Sequence, residues 1–283
     1  MVRKILAVSL CITATLFILG CGSGNVATTL TPETRFAKAK ALFENEDYLE
    51  AINEFTVITL QYQGSAFAGD AQFYLGECRF NRGEYLLAGF EYAVLKRNYP
   101  ASPRVADAQF KLAMAYYKLS PKSSLDQQYT KKAIDEFQTF AEYYPSNPKA
   151  VEADAKIKEL NTRLAKKQFE TAHLYATMEY YKAALSCFDV VIEKYHDTEY
   201  APMSYLSKAE LLLSRKKFRD AKTEIDAFLG RYANSVFRAR GENLKRRIDK
   251  ELESTKGTGA KESAGPGSAE RTSPTASALS GGR

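Results

Sequence analysis

The sequence predicts an all-α protein, a superhelix of five helical hairpins, and three regularities of spacing predict it. Five tyrosines lie eleven residues after five alanines: Ala51/Tyr62, Ala88/Tyr99, Ala133/Tyr144, Ala184/Tyr195 and Ala221/Tyr232. Four residues after each alanine stands a large apolar residue, and three after each tyrosine a small polar one. The first set is Phe55, Tyr92, Phe137, Phe188 and Ile225; the second is Ser65, Ser102, Asn147, Thr198 and Ser235. A second small residue, Ala39, Gly76, Ala172 or Ala209, precedes four of the alanines by twelve positions, and Ala113 fills the role in the third unit across eight extra residues. The alanines lie 37, 45, 51 and 37 residues apart. Such periods mark hairpin arrays whose units cannot bury their apolar faces alone.

In the first unit, Phe36, Ala39, Leu42 and Phe43 make one apolar stripe at helical spacing. The polar Asn45-Glu46-Asp47 breaks it, and Tyr48, Ala51, Ile52, Phe55 and Ile58 make the second stripe. Small residues at 39 and 51 let the two backbones cross closely, where larger ones would overpack. This helix stops near Tyr62-Gln63-Gly64, and the second and third units stop at Tyr99-Pro100 and Tyr144-Pro145, where proline ends a helix. The third and fourth units carry insertions; the fifth returns to the regular spacing. An aromatic ladder runs across the first helices as Phe36, Phe73, Phe110, Phe169 and Tyr205, with Phe43, Phe80 and Tyr117 seven residues on in the first three units. After the fifth unit, Phe237, Leu244, Ile248 and Leu252 share one face of a basic helix that caps the array.

Four segments follow. Residues 1–20 are a signal peptide: Arg3 and Lys4 precede a short apolar run from Ile5 to Leu19. That run is short for a membrane span. Ile18-Leu19-Gly20-Cys21 resembles a bacterial lipobox, with Cys21 the thiol that takes lipid, and several acyl chains anchor stably where one would not. Gly22 after the cysteine resembles an outer-membrane address. Residues 21–32 form the lipidated linker and 33–253 the five-repeat domain with its cap. Residues 254–283, rich in Gly, Ser, Ala, Thr and Pro, lack the apolar side chains to fold and form a disordered tail.

Composition narrows the function. The net charge of +6 is modest and spread out, without a basic block at a nucleic-acid motif, so no nucleic-acid partner is expected. Of two histidines, His173 falls beside a buried-type alanine and His196 stands where other units stop with proline. No glycine-rich phosphate loop follows a strand, and the four cysteines contain no CxxC pair. No catalytic residue, metal or cofactor is therefore expected beyond the covalent lipid on Cys21. Cys78 and Cys187 are expected as buried free thiols rather than a disulfide.

The repeat resembles the tetratricopeptide repeat, in which small residues at two crossing positions, a following aromatic and a closing proline build a right-handed superhelix. Here the first-helix tryptophan is missing and only two units keep the proline. A lipobox followed by five such degenerate units resembles the BamD family across residues 21–253. The stretch from Ala37 to Tyr62 and the Tyr-Pro pairs carry the likeness. So does Arg163-Leu164-Ala165-Lys166, placed at the opening of the fourth unit. The resemblance implies a lipoprotein at the periplasmic face of the outer membrane. It implies binding to the barrel-assembly subunit, to accessory lipoproteins and to unfolded outer-membrane protein clients. In that frame Phe36, Phe43, Phe73, Phe80, Phe110 and Tyr117 would line a client groove, or else only pack between repeats, and Arg238, Arg246 and Arg247 would dock the partner subunit, or else form a solvated capping face. The alternative is a periplasmic tetratricopeptide scaffold that coordinates cell-envelope or division proteins.

Overall fold

Residues 30–262 are described by a computed structural model, and they are helical throughout except for short connections. Their eleven α-helices fall into two compact units. The first unit takes the described residues up to 119 together with 135–150; the second takes 120–134 and the described residues from 151 on. The first contains α1 (Pro32–Glu44), α2 (Tyr48–Gln61), α3 (Ala68–Asn81), α4 (Tyr85–Asn98), α5 (Val105–Leu119) and the later part of α6 (Gln128–Tyr143). The second contains the start of α6, then α7 (Ala150–Thr177), α8 (Tyr181–Lys194), α9 (Tyr200–Ser214), α10 (Phe218–Arg231) and α11 (Arg238–Glu262). Consecutive helices pair as five hairpins, and α11 follows as the cap.

Each hairpin begins and ends as its sequence dictates. Thr31 caps α1, its hydroxyl accepting from the Thr34 amide, and Pro32 occupies the first turn, where its missing amide costs nothing. The connection between hairpins is one structure used five times. The tyrosine amide donates to the carbonyl four residues back, and the small polar residue's amide donates to the tyrosine carbonyl. The residue three further on then donates to the polar residue's carbonyl and opens the next helix. At three of these sites the polar side chain also accepts an amide two residues ahead: Ser102 from Arg104, Asn147 from Lys149 and Ser235 from Phe237. The side-chain oxygen offers the backbone an alternative to a continued helix, which is why the position is small and polar.

Within hairpins the turn also recurs. Glu46, Gly83, Glu179 and Lys216 take φ values of 64°, 77°, 63° and 57°. Each follows the last helical turn, whose carbonyls are satisfied by the next two amides, as Asp47 donates to Leu42 and Glu84 to Arg79. Three of the four are not glycine and bear the left-handed strain of a Cβ. Replacing Glu46, Glu179 or Lys216 by glycine should raise stability by up to about 1 kcal/mol each in urea unfolding. Loss of stability in all three would show that these turns are not left-handed.

The core follows the repeat frame. Ala51, Ala88, Ala133, Ala184 and Ala221 are fully buried, as are Ala39, Ala113, Ala172 and Ala209 and the large residues Phe55, Tyr92, Phe137 and Ile225. Gly76 takes the small position in the second hairpin because a Cβ there would stand 2.6 Å from the Tyr92 ring. Three expectations change. The ladder's last member is Leu206, fully buried, not Tyr205; the frame counts three residues before the small position, and Tyr205 lies one residue out. Arg163-Leu164-Ala165-Lys166 does not open the fourth unit. It sits in mid-helix, because residues 150–162 contain no breaker and the insertion becomes about four added turns of α7. The cap continues to Glu262, so residues 254–262 are helical rather than tail. Ser254 and Thr255 bond back to the Glu251 carbonyl and prolong the helix rather than end it. Residues 1–29 and 263–283, with the signal peptide, Cys21 and most of the expected tail, lie outside the described residues.

Candidate functional site

Of the six groove candidates, Phe73 and Phe110 are core. Phe36 stacks on Phe67 at 5.4 Å and meets Phe55 and Tyr74 edge-on. Phe73 is 7% exposed, with Tyr92 at 5.9 Å and the Arg104 guanidinium 5.3 Å from its centroid. Phe110 is 5% exposed against Phe137 and Phe140. A ring three residues before the crossing position shares its face of the helix, so the packing that buries the small residue buries the ring. Phe43, Phe80 and Tyr117 are half-buried. Lys40 lies over Phe43 and Lys111 over Phe80. Phe73 and Phe110 therefore hold helices together, while Phe36, Phe43, Phe80 and Tyr117 keep part of their surface exposed.

The apolar surface lies elsewhere in the first unit. Leu60 on α2 is 67% exposed and Phe90 on α4 is 60% exposed, with Leu49, Leu86 and Leu87 exposed on the same two helices. Leu60, Phe90 and Val94 flank a hollow of about 640 Å³, and the buried Leu75 contributes to its floor. Its polar side is built by the hairpin itself. Gln72, almost fully buried, donates its amide to the Glu91 carbonyl at 3.1 Å and to the Glu91 carboxylate at 2.7 Å. Burial holds the Glu91 carboxyl above the usual carboxylate range, against the opposing pull of Gln72 and Arg79. Arg79, also lining the hollow, bonds Glu84 at 2.7 Å through one terminal nitrogen. Its buried Nε has no acceptor among the described residues. The hollow thus combines an apolar wall with the polar Gln72–Glu91 clasp.

Sequence periodicity had no means of finding this groove, since Leu60 and Phe90 stand off the buried stripe. The available signal was an excess of apolar residues on α2 and α4 beyond what one buried face needs. The Gln72–Glu91 clasp was legible in principle. Glutamate stands three residues past the repeat alanine in four units, as Glu54, Glu91, Glu136 and Glu224. Glu54 is paired with Arg35 and Lys38, Glu136 is bonded by Gln109, and Glu224 holds Lys208 at 2.6 Å.

In the second unit the three candidate docking arginines do not form one patch. Arg238 and Arg247 lie on opposite sides of α11, since nine residues at about 100° each make a half turn beyond two full ones. Arg238 is tied to Glu242 and to the Ala233 carbonyl. Arg246, bonded to Asn243, and Arg247 remain exposed. Much of the expected basic field is cancelled locally, for Arg240 pairs with Glu210, Lys245 with Asp226 and Lys222 with Asp249.

A second hollow, of about 660 Å³, lies where the eight-residue insertion meets α7, lined by Ser120, Lys122, Ser123, Glu159, Arg163 and Tyr200. Cys78 and Cys187 are both free; Cys78 is buried and Cys187 half-buried rather than buried. Burial pushes the Cys78 thiol up to about 12, which leaves it a poor nucleophile. His173 packs against Phe169 and Phe188, and burial lowers its pKa from the ordinary value. Among the described residues, no group of three His, Cys, Asp or Glu side chains is placed to hold a metal ion, and no helix is long and apolar enough to cross a membrane.

A family model for outer membrane lipoproteins, YfiO, matches residues 29–225. No curated protein matches the chain. Similar solved structures include the TPR2AB-domain:pHSP90 complex of yeast Sti1, at 16% identity and a TM-score of 0.32, covering 77% of this chain and 98% of that one. A tetratricopeptide repeat protein from Parabacteroides merdae is 15% identical over 79% of this chain and 78% of its own, with a TM-score of 0.33. A thermophilic TPR protein from Thermus thermophilus is 16% identical over 78% of this chain and 99% of its own, with a TM-score of 0.31.

Proposed function

We propose, because the chain belongs to the YfiO family of outer membrane lipoproteins, that it is a non-catalytic subunit of the outer-membrane β-barrel assembly complex. In this reading lipid on Cys21 holds it at the periplasmic face of the outer membrane. The hairpins then bind the barrel-assembly subunit, accessory lipoproteins and unfolded outer-membrane protein clients. The family match over residues 29–225 is the observation that carries the reading.

The α2–α4 groove supports it physically. An extended segment alternates its side chains, so one edge can lie against Leu60 and Phe90 while the other stays wet. Docking of the barrel-assembly subunit is assigned to the exposed Arg246 and Arg247, where charge sets encounter rate more than affinity.

A photo-crosslinking residue at position 90, in the chain as it sits in its native membranes, tests this. Outer-membrane protein clients should crosslink there, and the barrel-assembly subunit should co-purify. Phe90→Glu should cut client capture by about ten-fold or more, the equivalent of losing one buried aromatic contact. Its melting should be unchanged, since the ring is exposed. Recovery of cell-wall or division enzymes alone would sink the reading in favour of an envelope scaffold.

A further inference from the structure

On α9 to α11, Lys208 pairs with Asp189 and Glu224, Lys222 with Asp249, Arg238 with Glu242, Arg240 with Glu210 and Lys245 with Asp226, while Arg246, Arg247 and Lys250 have no carboxylate partner among the described residues. The segment from the turn between α9 and α10 into the start of α10 gathers unpaired cations most densely. Arg215, Lys216, Lys217 and Arg219 are all exposed, and none pairs with a carboxylate among the described residues. Asp220 and, on the preceding turn, Glu179 are the carboxylates on these two turns.

Apolar tips stand beside these cations. Leu174 and Met178, four residues apart on one face at the end of α7, are 58% and 52% exposed, and Tyr180 in the turn is also exposed. The two turns are joined physically: the Arg215 guanidinium lies 4.3 Å from the centroid of Tyr181, the first residue of α8. Next to them, Lys216, Lys217, Phe218, Arg219 and Leu252 line a shallow hollow of about 490 Å³, in which three cations face one carboxylate, Asp220.

We propose that this edge is a contact surface for anionic phospholipid, resting on the bilayer independently of any lipid on the chain. Three features select a bilayer over an acidic protein. The apolar side chains project separately from a helix end and a turn, where a soft interface can receive each one. Leucine, methionine and tyrosine beside unpaired lysine and arginine is the chemistry of interfacial elements. The cations match a negative surface, and a family of outer membrane lipoproteins places the chain beside one. The adjoining hollow gives a phosphate headgroup cationic partners.

The chain contains no tryptophan, so Met178→Trp supplies a unique reporter. The full chain is bound to vesicles of phosphatidylcholine, alone or mixed with phosphatidylglycerol, that contain brominated acyl chains. With phosphatidylglycerol the emission should shift to the blue and fall by roughly two-fold, since the tip then sits within the interface. Each cation strengthens partition to an anionic surface by roughly five-fold, so Arg215, Lys216, Lys217 and Arg219 changed together to glutamate should abolish the response. Glutamate is compatible with the turn, since Glu46 and Glu179 hold the matching left-handed positions, and a circular-dichroism melt confirms that the variant folds.

Flotation reports anchoring separately. A chain that fails to float with phosphatidylcholine refutes the lipid anchor, and the edge is then read from flotation with phosphatidylglycerol, which charge reversal should remove. Water-like emission in both vesicles overturns the proposal. A response to soluble poly-glutamate without one to vesicles overturns it in favour of an acidic protein partner.

Discussion

Tyr92→Ala should destabilise the first unit by about 3–5 kcal/mol, and Gly76→Ala should reverse sign in that background. Tyr92 is among the largest fully buried side chains, and it lies across the only small position occupied by glycine rather than alanine. Its ring meets Phe73 at 5.9 Å. Its hydroxyl donates to Glu77, whose other carboxylate oxygen accepts from Lys111 at 2.8 Å. Burial, reinforced by Glu77, pushes the phenol pKa up, so the proton stays in place as donor. In the parent, Gly76→Ala gains about 1 kcal/mol of helix propensity but must displace a ring that would sit 2.6 Å from the new carbon. Overpacking of that kind costs about 1–3 kcal/mol, so the net change is a loss. Once Tyr92 is alanine, the methyl fills part of the cavity and the same substitution stabilises. Tyr92→Phe should cost about 1.5–3 kcal/mol, the worth of a hydrogen bond to a charged partner. Urea unfolding of the four variants gives the cycle. If Gly76→Ala stabilises both backgrounds, the ring does not lie against Gly76.

The same pair explains how much of the fold was legible. Close helix crossings demand a small residue, and the demand repeats with the hairpin, so five alanines and five tyrosines placed every hairpin. Position in the frame does not reveal which side of a ring faces a neighbour. Phe73 and Phe110 obey helical spacing equally well as core or as groove, and the rings of Tyr92 and Phe137 bury them in the core. The Leu60–Phe90 groove escaped for the converse reason: outward side chains owe nothing to the period. The basic C-terminal end was visible as composition. Which cations remain unpaired depends on residues 16 to 30 positions away, as with Lys208 and Glu224 or Arg240 and Glu210. The frame's error at Tyr205 was a single residue; Tyr205 is buried in the same core cluster as Leu206, but its hydroxyl accepts from Arg231 at 3.3 Å.

Both departures from the regular repeat meet in the second unit, and Arg163→Ala should undo their contact. The insertion at 120–127 has no regular structure, so its carbonyls need partners from outside. Arg163, in the lengthened α7, donates to the Ser120 carbonyl at 3.1 Å, the Ser120 hydroxyl at 2.7 Å and the Pro121 carbonyl at 3.3 Å. One turn on, Lys167 donates to the Leu125 carbonyl at 2.7 Å. Inside the loop the buried Gln127 ties the carbonyls of Lys122 and Leu125, and the fully buried Thr130 donates to the Gln127 amide oxygen at 2.7 Å. The loop is therefore held by a cation from one side and an amide from the other, and neither insertion has this support without its counterpart. Hydrogen bonds from a charged donor are worth about 1.5–3 kcal/mol, and the partial exposure of Arg163 lets water recover some of that, so a loss of about 2 kcal/mol is expected. Arg163→Lys should recover part of it, because all three loop bonds come from one terminal nitrogen, while the second nitrogen's bond to Glu159 is lost. Amide exchange should accelerate across 120–127 and at Thr130, with protease cutting near the exposed Leu125, while α1 to α4 keep their protection. Unchanged exchange in the loop would mean that Gln127 and Lys167 suffice to hold it.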